Sequence, residues 1–216
     1  MSSHPLTLHG IPLTARASGA LWWPDRRTLV VSDLHLGKSE RLARRGGPLL
    51  PPYDSVETLM RLDAELAALD PATVICLGDS FDDLAAAALP ETETLWLSRL
   101  MAGRRWIWIA GNHDPGPVEI GGSHVAELAV DGLHFRHEAR PGAQAEISGH
   151  FHPKARLGGR SRPCFLADAA RIVMPAFGSY TGGLSCTAPA LRAIMAEDAL
   201  AIVTGGTALA VPLRAL

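Results

Sequence analysis

The chain has 216 residues, of which 47% are hydrophobic and 19% charged, with a formal net charge of −2 and a pI near 6.5. That is enough apolar chain to bury a sizeable core, too much for intrinsic disorder, and the length of one domain spanning 1–216. The near-neutral balance excludes a strongly basic coat that grips nucleic acid nonspecifically, although a local basic patch stays open.

The elements follow in chain order. Leu29–Val31 is a short β-branched run that stops at Ser32-Asp33. Ser55–Leu69 carries apolar residues at Val56, Leu59, Met60, Leu62, Leu66 and Leu69, a helical spacing. Asp54 and Ser55 are candidate N-caps, and Asp70-Pro71 stops the helix. Thr73–Leu77 is a second buried-type strand, Glu91–Met101 a second helix opened by Pro90, and Trp106–Ala110 a third strand. This alternation predicts an α/β sandwich whose first half has parallel strands. Beyond residue 120 the texture turns to short β pieces: His124–Val130, Leu133–Arg136, Ala145–Ser148, Arg171–Met174, Leu191–Ala196, Leu200–Val203 and Ala208–Val211, with Gly205-Gly206 reading as a hairpin turn. No basic leader followed by an apolar run opens the sequence, and no apolar stretch reaches the roughly 18–20 residues of a membrane span. The expectation is a soluble cytoplasmic protein with no membrane partner.

Chemistry-bearing residues fall at strand ends. The first strand ends in Asp33-Leu-His35, the second in Gly78-Asp79-Ser-Phe-Asp82, the third in Gly111-Asn112-His113-Asp114. The rim beyond the carboxyl ends of parallel strands is where open α/β sheets bind ligands. Two later β pieces are followed by His137-Glu138 and by Gly149-His150-Phe-His152. Alternate residues of an extended segment point the same way, so both imidazoles of His-x-His can reach one centre. The candidate donors are Asp33, His35, Asp79, Asn112, His137, His150 and His152. Oxygen and imidazole donors suit Mn, Fe or Zn better than Mg or Ca. The three cysteines, Cys76, Cys164 and Cys186, show no metal-binding or disulfide spacing. Seven donors exceed the needs of one tetrahedral ion and match two divalent ions sharing a carboxylate, as in in-line phosphoryl displacement.

The ordered set D-x-H, G-D-x-x-D, G-N-H-D, H, G-H-x-H resembles the calcineurin-like metallophosphoesterases. The resemblance implies a four-layer α/β/β/α sandwich and a dinuclear centre. It assigns Asp33, His35, Asp79 and His152 to one ion and Asp79, Asn112, His137 and His150 to the other, with Asp79 bridging. Further stretches are similar to the bacterial DNA-ligase-associated phosphoesterases: Leu21-Trp-Trp-Pro24, Asp33–Lys38, Arg44–Pro48 with Pro51-Pro52, Arg162–Phe165 and Met174–Gly183. That subfamily implies a DNA endonuclease of DNA repair, working beside an ATP-dependent DNA ligase, a helicase and an exonuclease. Water activated by the two ions would attack phosphorus, His113 would serve the leaving oxygen, and Asp82 would hold the His113 ring.

Bland readings stand beside these. His134 competes with His137, which is preferred because it ends its strand. His4, His9 and His124 read as surface or structural. Asp83 and Asp114 are either supporting groups or solvated turn carboxylates. Trp22, Trp23, Trp106 and Trp108 read as packing rather than base-stacking platforms. Arg41, Arg44 and Arg45 are a solvated surface or line the substrate approach, with Lys38 a candidate phosphate contact, and Arg156, Arg160 and Arg162 default to solvated surface. The Gly178–Gly183 tract offers backbone N–H groups to a phosphate or is a tight connection. Two alternatives to a DNA enzyme remain: a phosphoesterase for a small nucleotide or other small phosphoester, and a non-catalytic subunit, against which the complete donor set argues.

Overall fold

Alternating side chains decide the layering. In the computed structural model, which describes residues 2–47, 53–83, 85 and 89–216, Leu29 and Val31, Val74 and Cys76, and Trp106 and Trp108 face a helical layer. Their neighbours Val30, Ile75, Leu77, Ile107 and Ile109 face the opposite way, into a core shared with a second sheet. Strands buried on both faces read as unbroken apolar runs, which is why these three were visible in the sequence.

The first sheet has seven strands in sequence order: β1 (Ser3–Leu8), β2 (Ile11–Arg16), β3 (Leu21–Trp23), β4 (Thr28–Val31), β5 (Thr73–Leu77), β6 (Arg105–Ile109) and β7 (Ser123–Val125). Strands β4 to β7 are parallel and β1 to β4 antiparallel. Helix α1 (Lys38–Arg44) follows the β4 loop, and α2 (Asp54–Leu69) and α3 (Glu91–Met101) cover the outer face. The second sheet holds β8 (Leu128–Val130), β9 (Leu133–Phe135), β10 (Glu146–Ser148), β12 (Arg160–Ala167), β13 (Arg171–Val173), β14 (Leu200–Val203) and β15 (Leu209–Pro212), in the order β15-β14-β12-β13-β10-β9-β8, with β11 (Lys154–Leu157) paired to β12. Its outer face is covered by the short helix α4 (Pro189–Arg192) and the segment around Met195. This is the four-layer arrangement of the metallo-dependent phosphatases, with a thin final helical layer. Among the described residues, no helix is long and apolar enough to cross a membrane.

Three sequence expectations are corrected. The run His124–Val130 is two strands, β7 and β8, because the chain leaves the first sheet there and enters the second. Leu191–Ala196 is not a strand: Pro189 at the first turn, with its fixed φ, starts α4 instead. Asp54 and Ser55 do not cap α2, which begins after Tyr53 with no side-chain cap. Their side chains reach across to the α1 entry, where Asp54 accepts from Ser39 N–H and Oγ–H at 3.0 and 2.6 Å and Ser55 Oγ accepts from Gly37 N–H at 2.8 Å. The chain at Gly37 and Ser39, two and four residues beyond His35, is thereby fastened to α2. The prolines Pro48, Pro51 and Pro52 lie outside the described residues.

Candidate metal centre

The parallel pairing of β4 and β5 continues past both strand ends. Asp33 N–H donates to Gly78 O at 3.2 Å, His35 N–H to Asp79 O at 2.9 Å and Leu36 N–H to Ser80 O at 3.0 Å. On the other side, Phe177 and Gly178 N–H donate to Ser32 and Asp33 carbonyls at 2.7 and 3.0 Å, tying the segment after β13 to the first sheet. Within this frame five predicted ligands adopt left-handed backbone conformations: Asp33, His35, Asp79, His150 and His152, with φ between 46° and 69°. A non-glycine residue there costs about 1–3 kcal/mol and persists only when its surroundings over-determine it. Each such residue turns the chain sharply at a strand end and swings its side chain inward.

All seven predicted donors converge. On one side, His152 Nε2 lies 3.1 Å from Asp33 Oδ1 and 3.4 Å from His35 Nε2. On the other, Asn112 Oδ1, His137 Nε2 and His150 Nδ1 form a triangle with edges of 2.9, 3.0 and 3.1 Å. Two ligands on one ion, each about 2.0–2.1 Å from it, stand about 3 Å apart. Asp79 Oδ2 is 3.4 Å from His137 Nε2 and 4.0 Å from His35 Nε2, so one oxygen lies between the two groups. His134 instead is exposed on β9.

Hydrogen bonding at the remote ring nitrogens fixes which atoms face the centre. His137 Nδ1–H donates to Leu77 O at 2.9 Å, and His35 Nδ1–H donates to Asp82 Oδ1 at 2.7 Å. Each ring then presents its Nε2 lone pair inward, the orientation that metal-binding imidazoles owe to such partners. His137 Nε2, His150 Nδ1 and Asn112 Oδ1, crowded within 3.1 Å of one another, can all turn lone pairs to a cation placed among them. The donor set and its spacing therefore fit divalent metal ions.

Electrostatics point the same way. Burial alone would raise the Asp79 carboxyl, but His137, the His113 N–H and His35 outweigh it and bring it down to about 2. Asp33 is likewise pushed up by burial, yet His152, His137 and the Ser32 hydroxyl hold it below the usual carboxylate range. Burial would lower His137, whereas Asp79, Asp33 and the Leu77 carbonyl raise it to about 9. A proton thus takes the cation's place on Nε2. His150 is lowered by burial and by the neighbouring His137 charge.

Asp82 and His113 meet differently from expectation. His113 Nδ1–H donates to the main-chain carbonyl of Asp82 at 2.8 Å. The Asp82 carboxylate is turned away, onto His35 Nδ1 and the Arg41 guanidinium. His113 itself stands edge-on to His35, ring centroids 5.1 Å apart, with its Nε2 side free of the Asp82 contact. Asp114 is buried rather than solvated. Its carboxylate accepts from the N–H groups of Asp79, Ser80, Phe81 and Gly111 at 2.8–3.2 Å, stitching the β5 and β6 loops together. A lone aspartate after Gly-Asn-His carries no sequence signal for that role.

Close backbone approach also shapes the centre. A Cβ on Gly149 would fall 1.7 Å from Ser32 Oγ and 2.4 Å from Asp33 Oδ2, and one on Gly78 would lie 2.6–2.8 Å from the His137 ring. Gly149→Ala is expected to displace Asp33 and the His150 amide bonded to it at 3.1 Å. Metal content measured by elemental analysis should fall by at least one ion per chain, and a fully loaded variant would contradict this geometry.

The arginines expected near the approach are neutralised. Arg41 pairs with Asp82, and Arg44 and Arg45 with Asp83 at 3.0 and 3.4 Å. Arg156, Arg160 and Arg162 are exposed on the β11–β12 hairpin. Trp23, Trp106 and Trp108 are core residues.

Residues 26–163 match the family model described as calcineurin-like phosphoesterase. Among solved structures, the chain is similar to a Pseudomonas putida nuclease, MPE, at 30% identity and a TM-score of 0.75, over 94% of this chain and 96% of that one. No protein with a curated description matches it significantly. The chain belongs to the calcineurin-like phosphoesterases, and it is a metal-dependent phosphoesterase.

Proposed function

We propose that this chain, working as one catalytic domain, hydrolyses phosphodiester bonds with two divalent metal ions, most simply Mn, and that DNA in cytoplasmic repair is its substrate. The single observation that carries the dinuclear reading is Asp79 Oδ2, placed between two donor groups that each have the spacing of a coordination polyhedron. The nuclease MPE from Pseudomonas putida supports a nucleic-acid substrate, and an ATP-dependent ligase, a helicase and an exonuclease are the partners this reading expects. Bound ions would activate water and neutralise charge on the phosphoryl oxygens.

The chain's own residues do the rest. Leu77 O and Asp82 set the inward lone pairs of His137 and His35. Asp79 has a second task, accepting the His113 N–H on Oδ1 at 2.8 Å. That bond and the Asp82 carbonyl fix the His113 ring with Nδ1 protonated and Nε2 available to exchange a proton with the leaving oxygen.

His113→Ala tests this reading. Turnover of a diester reporter and of single-stranded, nicked and flapped DNA is expected to drop about 100-fold. Metal content should stay at the wild-type level, because the His113 ring bonds to no donor. Loss of both ions in that variant would sink its assignment as a proton donor. Reporter hydrolysis with intact DNA would favour a small nucleotide or phosphoester as substrate.

A further inference from the structure

The phosphodiesterase reading leaves three side chains beside the centre without a role. The chain contains two lysines, Lys38 and Lys154, against eighteen arginines. Both lysines follow ligands that touch: His35 and His152 meet at 3.4 Å, and Lys38 lies three residues beyond the first and Lys154 two beyond the second. Unlike Arg41, Arg44 and Arg45, neither has a carboxylate partner within ion-pair distance among the described residues. Lys154 Nζ is fixed by a hydrogen bond to Thr181 O at 2.9 Å, on the tract whose next residue toward the centre is Tyr180. Two cations without carboxylate partners, each within three residues of one of two touching ligands, suit a phosphate at this centre.

The third side chain is Tyr180. It is 46% exposed and has φ 55°, a conformation that strains a bulky residue. Its flanks hold it there. Gly178 N–H is bound to Asp33 O at 3.0 Å, Ser179 N–H to Thr58 Oγ1 at 3.0 Å, and Thr181 O accepts from Lys154 Nζ at 2.9 Å. The tyrosine is therefore anchored on one side to a metal ligand's backbone and on the other to one of the two lysines. An exposed aromatic ring beside a phosphate-binding charge is the pairing that carries a nucleotide, base on ring and phosphate on cation.

We propose that Lys38, Lys154 and Tyr180 form a nucleotide subsite beside the metal-ligand cluster, with the two ammonium groups on the phosphate next to the scissile one and that nucleotide's base on the Tyr180 ring. The proposal rests on the phosphodiesterase reading. Lysine suits the place because its compact ammonium with rotatable donors can follow a phosphate that shifts during turnover.

The test is fluorescence anisotropy in EDTA, which separates binding from hydrolysis. The probes are a short fluorescein-labelled oligothymidylate and an abasic backbone of equal length. Wild type should bind the oligothymidylate more tightly. Tyr180→Ala should lose about tenfold on the oligothymidylate and nothing on the abasic chain, while Tyr180→Phe keeps wild-type affinity. Lys38→Ala and Lys154→Ala should weaken both probes and each reduce the slope of log affinity against log salt by about 0.7. Competition by thymidine monophosphate as strong as by unlabelled oligomer supports a free nucleotide in the subsite; competition by the oligomer alone supports a chain. Equal binding of both probes by wild type and Tyr180→Ala overturns the proposal, as do a Tyr180→Phe variant as weak as Tyr180→Ala, unchanged salt slopes, or displacement by inorganic phosphate with no base dependence. Base-dependent binding without diester hydrolysis under any divalent metal keeps the nucleotide site and removes the phosphodiesterase reading. Hydrolysis with wild-type binding in all the variants does the reverse.

Discussion

Asp79→Asn is expected to lower diester hydrolysis about 10⁴-fold, the several kcal/mol that two ions supply to a phosphoryl transition state, and to leave the fold standing. The substitution is nearly isosteric. The Asn carbonyl can keep the His113 N–H bond now made by Oδ1 at 2.8 Å, so the β5 and β6 loops stay joined. What changes is the other atom. Oδ2 lies 3.4 Å from His137 Nε2 and 4.0 Å from His35 Nε2, and an amide NH₂ there points hydrogens at both donor groups instead of a lone pair. Both ions of the proposed centre would lose a ligand, and the cluster would also lose a negative charge. His137 loses its carboxylate hydrogen-bond partner and keeps only the Asp33 charge. Elemental analysis should find less than one ion per chain, with metal-free melting temperature close to that of metal-free wild type. A variant that holds two ions would show that the bridging oxygen belongs to another group. A variant that holds one ion would show the two donor groups to be independent.

Much of this centre was legible because its residues sit where strands stop. The three inner parallel strands are apolar on both faces, so the first polar residue after each marks the rim, and Asp33, Asp79 and Asn112 fall there. What the sequence could not carry was orientation. Asp82 looked like the partner of the His113 ring because the two motifs were expected to meet. The ring is in fact held by the Asp82 main-chain carbonyl, and no residue type announces a carbonyl. The carboxylate itself is drawn to His35 and Arg41, a contact made across 47 and 41 residues of chain. Asp114 reads as an ordinary turn residue until four N–H groups from two loops are seen on it.

The strands that escaped notice share a different cause. Strands β1 and β2 contain Pro5 and Pro12 and alternate weakly, as an edge hairpin does. Their two-residue turn, His9-Gly10 with φ 50° and 78°, was the available signal. Strands β11 and β12 turn at Gly158-Gly159, a pair as informative as the Gly205-Gly206 turn between β14 and β15, yet their outer residues are charged and masked the run.

The raised pKa of His137 yields a pH dependence with a definite sign. Its folded value near 9 lies above the ordinary 6.5, so in the metal-free protein its contribution to stability is complete below about pH 6.5 and fades as pH climbs to 9. Asp79 works in the other direction. With a folded value near 2 against an ordinary 3.8, its contribution is present above about pH 4 and is lost as pH falls toward 2. Metal binding needs the His137 Nε2 lone pair, which that proton occupies. Each ion bound at the Asn112–His137–His150 triangle must therefore expel one proton, since the two carboxylates are already ionised and His150 is held neutral. Affinity there should rise about tenfold per pH unit from pH 6.5 and flatten near pH 9, a gain of about 300-fold. The gap in melting temperature between metal-loaded and EDTA-treated protein should widen over that range, because metal-free protein weakens while binding strengthens. Calorimetric titration in buffers of different ionisation enthalpy should count close to one released proton at pH 7.5. A gap that stays constant from pH 6.5 to 8.5, with no proton released, would mean that His137 is neutral before the metal arrives. His137→Gln should remove both the slope and the proton, because the remaining donors of the triangle carry none to expel.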